Sequence, residues 1–176
     1  KHCIDPKDGR MYFSVTAEGL PLRKRRYYFS EAFYTMACIE YGALFDDPFY
    51  REQGKKYYSF MMDIYRDPSC DPYKITPKMC PGTRESVAFS PAMILLNVSH
   101  IMEDCDPENA ELYRKNAAEL TNAILTTFIK PDLKALLEVT SPNGEFQKDV
   151  TGGRTMNPGH TIEGAWFLIN QAQRTH

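Results

Sequence analysis

The chain has 176 residues, enough for one domain or for part of a larger one, with 43% hydrophobic and 25% charged residues, an ordinary globular balance. A net charge of −2 without a basic patch argues against nucleic acid, and no apolar run approaches the ~20 residues that a membrane helix needs.

Residues Lys1–Asp5 lack an initiator Met and any secretory pattern, so the chain is expected to begin inside a longer one. From residue 8 to residue 22 the pattern predicts a β-hairpin or extended loop, with Met11-Tyr12-Phe13-Ser14-Val15 as strand and Ala17-Glu18-Gly19 as turn. The basic run Arg23-Lys24-Arg25-Arg26 is too short for a nucleic-acid surface and reads as a solvated loop. A first helix is predicted from a Ser30 cap to about Phe45, with Phe33, Met36, Ala37, Glu40, Tyr41 and Leu44 at helical spacing. Asp47-Pro48 opens a second, ending near Arg66. Residues 67–84 hold four prolines and read as a long connecting loop. A third helix covers about Glu85 to Met102, kinked at Pro91 unless Ser90-Pro91 is its true start. Asp106-Pro107 opens a fourth, reaching about Ile129. A short strand, Leu136 to Thr140, then precedes a Pro142-Asn143-Gly144 turn. The fifth helix starts at Pro158, with Asn157 as its N-cap, and runs to the end of the sequence.

The two Asp-Pro helix starts lie about sixty residues apart. Helix hairpins repeating at that interval indicate an α-solenoid or an α/α toroid. The long loops all fall on one side of the hairpins, the side that carries a site in such an architecture. About two and a half hairpins are present, and the last helix has no hairpin partner. One partial domain over 1–176, the central portion of a toroid, is therefore expected.

The five cysteines are an odd number with no CxxC spacing, which argues against a structural zinc site and fits free thiols in a reducing cytosol. Asn97-Val98-Ser99 matches a glycosylation sequon inside an apolar helical pattern and reads as a chance match.

The densest chemistry lies in Asn157-Pro158-Gly159-His160-Thr161-Ile162-Glu163-Gly164-Ala165-Trp166-Phe167-Leu168. His160 and Glu163 share a face of the first helical turn. That carboxylate can orient the imidazole and tune its basicity for proton transfer. Spacing alone favours a blander surface pair that supports the helix start.

These residues, with Phe29-Ser30-Glu31-Ala32-Phe33-Tyr34-Thr35-Met36-Ala37, Arg84-Glu85-Ser86 and Met93-Ile94-Leu95-Leu96-Asn97 in the same order, resemble the N-acylglucosamine 2-epimerase (renin-binding protein) family over nearly the whole chain. The resemblance implies an all-α fold, part of an (α/α)6 barrel of roughly twice this length, with short β-hairpins in the loops and both family ends missing. It implies a sugar epimerase that interconverts N-acetylglucosamine and N-acetylmannosamine by removing and returning the C2 proton of the open-chain form. His160 would be one of two catalytic histidines, Glu163 its neighbour, and the second histidine would lie beyond His176. No cofactor is required; ATP would act as an allosteric activator, although no Walker motif is present. Met93-Ile94-Leu95 stands where cellobiose epimerases carry a His, which favours the N-acylhexosamine branch. The implied partners are an amino sugar and either a second copy or the rest of the barrel, in the cytoplasm.

Four further residues are candidate substrate ligands. Glu31 either complements the helix dipole or bonds sugar hydroxyls. Phe29 stacks on a ring or, the preferred reading, staples the helix start. Arg154 is assigned to the pocket in preference to solvent. Glu85 faces the barrel mouth or serves as an ordinary first-turn carboxylate, the preferred reading. Trp166 is expected to pack between helices, and His2, His100 and His176 to be incidental. The competing functions are a glycoside hydrolase on a similar barrel and a non-catalytic carbohydrate- or protein-binding fragment. Hydrolysis requires two flanking carboxylates, whereas the motif pairs one carboxylate with a His.

Overall fold

The computed structural model of the chain describes residues 2–24, 27–72 and 84–175. Arg25 and Arg26 of the basic run, Pro77, Cys80 and Pro81 of the connector, and His176 lie outside the described residues. The chain divides into two compact units, one within Lys1–Thr76 and Ile101–Glu108, the other within Pro77–His100 and Asn109–His176.

The first unit opens with the expected hairpin. Strand β1 (Tyr12–Val15) pairs antiparallel with β2 (Pro21–Lys24) around a turn closed by the Gly19 N–H on the Thr16 carbonyl. Helix α1 (Phe29–Leu44) follows. Its N-cap position is Tyr28, which makes no side-chain cap bond. Ser30, expected as the cap, therefore lies inside the first turn, because the helix begins one residue before it. Helix α2 (Pro48–Arg66) starts as expected. The Asp47 carboxylate accepts from the Phe49 and Tyr50 N–H groups, and Pro48 occupies the first turn without losing a hydrogen bond.

Helices α1 and α2 pack as a hairpin. Ala32, Cys38 and Ile39 on α1 and Tyr57, Tyr58, Met61 and Met62 on α2 are buried; each large apolar side chain so buried contributes about 1.5–3 kcal/mol. The approach is close enough that a Cβ on Gly54 would stand 2.9 Å from the Ile39 Cβ. Beside this core, Arg10 is 2% exposed. Its Nε donates to Glu31 Oε1 at 2.7 Å and its Nη1 donates to both Asp71 carboxylate oxygens. Glu31 Oε1 also accepts the Met11 N–H at 2.7 Å. Three distant segments are thus fastened by one guanidinium: the N-terminal loop, α1 and the turn after α2. Burial alone would lower the Arg10 pKa, but the Asp71 and Glu31 carboxylates outweigh it and hold it up. The unit also includes the last turn of helix α3 (Phe89–Cys105), where Lys55 Nζ lies 3.4 Å from Asp106.

The second unit contains the rest of α3. The helix begins at Phe89, so Pro91 sits in the first turn and kinks nothing. Residues Val87–Ala88, read from the sequence as helical, instead form strand β3, paired antiparallel with β6 (Val139–Thr140). Ala92 to Leu96, Val98, Ser99 and His100 are all buried, as befits a helix apolar on every side. Ser99 is fully buried, with its hydroxyl on the Leu95 carbonyl, which supports the chance-match reading of the sequon.

Helix α4 (Ala110–Ala123) is shorter than expected at both ends. A 3₁₀ turn, Pro107–Asn109, precedes it, and a π-helical turn, Ile124–Phe128, follows. That wider turn places both Ile124 and Phe128 inside. The hairpin β4 (Ile129–Lys130) to β5 (Ala135–Leu136) comes next. The single strand expected over Leu136–Thr140 is broken into β5 and β6 at Leu137–Glu138. Leu136 and Leu137 are both buried, 7% and 4% exposed, so the alternation of a strand cannot continue through them.

Helix α5 (Pro158–Thr175) closes the chain and packs on α4. It buries Gly164, Phe167 and Gln171. Trp166 lies off that stripe and is 59% exposed, with Ile162 and Ile169 beside it at 72% and 58%, so the expected interhelical packing of the indole is not found.

The four described cysteines, Cys3, Cys38, Cys70 and Cys105, are free thiols. Among the described residues, no helix is long and apolar enough to cross a membrane.

Candidate active site at the head of the last helix

The Asn157 side chain builds the start of α5. Its Oδ1 accepts the Gly159 N–H at 3.0 Å and the His160 N–H at 3.4 Å, while the Thr161 hydroxyl donates to the Asn157 carbonyl. The cap therefore fixes the backbone from which the His160 imidazole projects. The ring is not oriented by Glu163, as the spacing suggested. Its Nδ1 lies 3.0 Å from each oxygen of Glu138, a residue at the break between β5 and β6. The His160 side chain is 37% exposed and that of Glu138 15%. No hydrogen bond joins His160 Nε2 to any of the described residues.

Glu138 is itself fastened through its backbone. Its N–H donates to the Thr155 carbonyl at 3.0 Å, and its carbonyl accepts the Phe89 N–H at 2.9 Å. The carboxylate is thus set by the first residue of α3 on one side and by the segment leading into α5 on the other. Glu163, one turn beyond His160 and half-buried, makes no hydrogen bond or ion pair among the described residues.

The other candidates are dispersed. Arg154 is exposed, and its Nη1 donates to the Lys148 carbonyl at 2.8 Å, bracing its own loop. Glu85 is exposed, and its main-chain carbonyl accepts from Gln147 Nε2. Gln147 thereby ties the Arg84–Glu85 segment to the loop that carries Arg154. Glu31 and Phe29 belong to the first unit. Glu31, 1% exposed, is occupied by Arg10 and Met11, and Phe29 packs edge-on against Tyr27 with ring centroids 6.3 Å apart.

Three features escaped the sequence. Glu138 lies 22 residues before His160, and a carboxylate interrupting the Leu136-Leu137-Glu138-Val139 run was the only signal of it. Arg10 resembled any other loop cation. His100, read as incidental, is 3% exposed and bonds Gln171 Oε1 through Nε2 at 2.7 Å.

The family model for N-acylglucosamine 2-epimerase (GlcNAc 2-epimerase) matches residues 1–176. The chain belongs to the N-acylglucosamine 2-epimerase family. It is 29% identical to N-acylglucosamine 2-epimerase of Rattus norvegicus over 97% of this chain and 40% of that protein. It is 30% identical to the Homo sapiens protein of the same name over 97% of this chain and 39% of that protein. The chain thus spans about two fifths of the length of the curated relatives it matches. Among solved structures, that of cellobiose 2-epimerase from Bacillus thermoamylovorans B4167 superposes with a TM-score of 0.77 at 16% identity, covering 98% of this chain and 46% of that one. That likeness shows the fold, the helix hairpins of the (α/α)6-barrel class. The Asn157–Leu168 segment singled out in the sequence and the carboxylate-held imidazole coincide at one helix start.

Proposed function

We propose that the intact gene product is a sugar 2-epimerase and that N-acetylglucosamine and N-acetylmannosamine are its substrate pair. The single observation that carries the reading is His160, partly exposed at a capped helix start, with one ring nitrogen held by a carboxylate and the other without a hydrogen-bond partner among the described residues. Family membership supplies the reaction class.

In the open-chain sugar, the C1 aldehyde acidifies the C2 proton. His160 takes that proton, and the C2–H electron pair moves into a C1=C2 bond, giving a 2-acetamido enolate with its charge on the C1 oxygen. A second acid/base group on the opposite face returns a proton to C2, which inverts the centre. An imidazole suits this role because its unperturbed pKa lies near physiological pH. Glu163, on the same helical face and otherwise unengaged, is placed to hold a sugar hydroxyl or a proton in transit. Arg154 and Glu85, on loops tied together by Gln147, are proposed to close over the sugar. The partners under this reading are an amino sugar and a second copy or the remainder of the barrel. The free thiols fit a cytosolic setting.

The test is proton NMR of N-acetylmannosamine in D₂O with the intact gene product and with His160→Asn. The expected result is loss of the C2 proton signal and growth of N-acetylglucosamine with the native protein alone. Equal exchange by His160→Asn would remove His160 from the mechanism. No exchange by the native protein, with or without ATP, would remove this substrate pair.

A further inference from the structure

We propose that Glu138 is a positioning residue that fixes His160 as the Nδ1–H tautomer and so makes Nε2 the nitrogen that exchanges the C2 proton. The proposal rests on the epimerase reading for its consequence, though not for its geometry.

An ionised carboxylate can only accept hydrogen bonds. With both Glu138 oxygens at 3.0 Å from His160 Nδ1, that nitrogen must carry the proton, and the lone pair of the neutral ring falls to Nε2. The tautomer of an imidazole is set by the bond its other nitrogen makes. Here the bond is symmetric and charge-assisted, with the His side chain 37% exposed and the carboxylate side chain 15%. The carboxylate cannot easily leave, because Glu138 is tethered by its N–H to Thr155 and by its carbonyl to Phe89. Asn157 holds the helix turn beneath the ring. The imidazole is thus restrained at its backbone and at Nδ1, with one open position.

The balance of the step follows. The C2 proton transfers to Nε2, and its bonding pair forms the C1=C2 bond of the 2-acetamido enolate, with the charge on the C1 oxygen. The ring becomes an imidazolium with both nitrogens protonated, and its Nδ1–H still donates to Glu138. The negative carboxylate stabilises that cation in place and returns the ring to the same tautomer once the proton departs. Glu163, which this arrangement relieves of orienting the ring, stays available to the substrate.

The experiment combines a tautomer measurement with kinetics on the intact gene product. Long-range nitrogen–proton spectra of ¹⁵N-histidine-labelled protein, with His160 assigned by its loss in His160→Asn, report which ring nitrogen carries the proton. The proposal expects the Nδ1–H form in the native protein and a mixed or Nε2–H form in Glu138→Gln. In the same variant kcat falls about 100-fold with KM changed less than about threefold, since the loss concerns proton transfer rather than sugar binding. Glu138→Asp, which keeps a carboxylate, recovers part of kcat and the native tautomer. A native Nε2–H form overturns the proposal, and so does an unaltered kcat in Glu138→Gln or a kcat loss without a change of tautomer. Absence of C2 exchange by the native protein would sink the epimerase reading alone, because the spectra decide the tautomer without any substrate.

Discussion

Substituting Glu31 separates a structural carboxylate from a sugar ligand, the two readings that the sequence left level. In Glu31→Ala, the Arg10 Nε–H and the Met11 N–H both lose their acceptor, each a 2.7 Å bond to the same oxygen. Breaking a buried ion pair costs about 3–5 kcal/mol. The lower end applies, because Asp71 still faces the guanidinium across two bonds. A loss of about 3 kcal/mol, with an m-value of about 2 kcal/mol per molar urea, lowers the urea midpoint at pH 7 by about 1.5 M. Glu31→Gln keeps the shared acceptor oxygen but loses the charge and buries an amide at Oε2, where no hydrogen-bond partner stands among the described residues. Its cost is about 1–3 kcal/mol. Urea unfolding followed by far-ultraviolet circular dichroism measures both variants, with KM determined in parallel. A midpoint within about 0.3 M of native, together with a tenfold rise in KM for the sugar, would refute the structural account and make Glu31 a ligand.

Gly164→Ala is expected to destabilise the protein by about 1 kcal/mol. The gain in helix propensity is about 1 kcal/mol, but the new methyl would stand 2.5 Å from the Phe89 ring, which is fully buried and stacked edge-on with Phe128, an overpacking cost of about 1–3 kcal/mol. A raised thermal midpoint would show that the ring can withdraw. The Asp5 carboxyl is held down at about 2, from 3.8, chiefly by its hydrogen bond to Lys24 and then by the Lys7 N–H. A group depressed on folding contributes stability above its unfolded value, and that contribution fades as pH falls through the folded one. The stability difference between native and Asp5→Asn should therefore shrink between about pH 4 and pH 2, and a difference constant across that range in thermal melts would contradict the Lys24 pairing.

Features set by neighbouring residues were legible in the sequence. Asp47-Pro48 and Asn157-Pro158 start their helices where the cap chemistry places them, because the cap bond spans only two or three residues. The turns at Ala17–Gly19 and Pro142–Gly144 are equally local. What stayed hidden depends on separation. Val87–Ala88 is a strand only because Val139–Thr140 comes to lie beside it, and nothing in the local pattern announces such a partner. The π turn at Ile124–Phe128 answers to the core rather than to propensity. The site divides along the same line. His160 and its helix start were readable, whereas Glu138, which holds the ring, was not. The i, i+3 rule offered Glu163 as a nearer partner, and the break between β5 and β6 that delivers Glu138 depends on Leu136 and Leu137 both turning inward.

Two of the charged clusters among the described residues separate by what they leave open. Arg10 and Glu31 are 2% and 1% exposed, and the guanidinium is bonded on both of its sides. Such a group has no surface to offer a substrate, and its bonds across three segments serve the fold. His160 and Glu138 are 37% and 15% exposed, and the pair occupies only one of the two ring nitrogens. A proton carrier needs that asymmetry. A ring without a held nitrogen would rotate and share its tautomers, and a ring held at both nitrogens would have no lone pair to present. Charge and proximity are common to both clusters, so neither identifies a reactive site. On the proposed reading, the discriminating feature is a restrained titratable group with one lone pair left open at the surface, an arrangement found at His160 and not at Arg10.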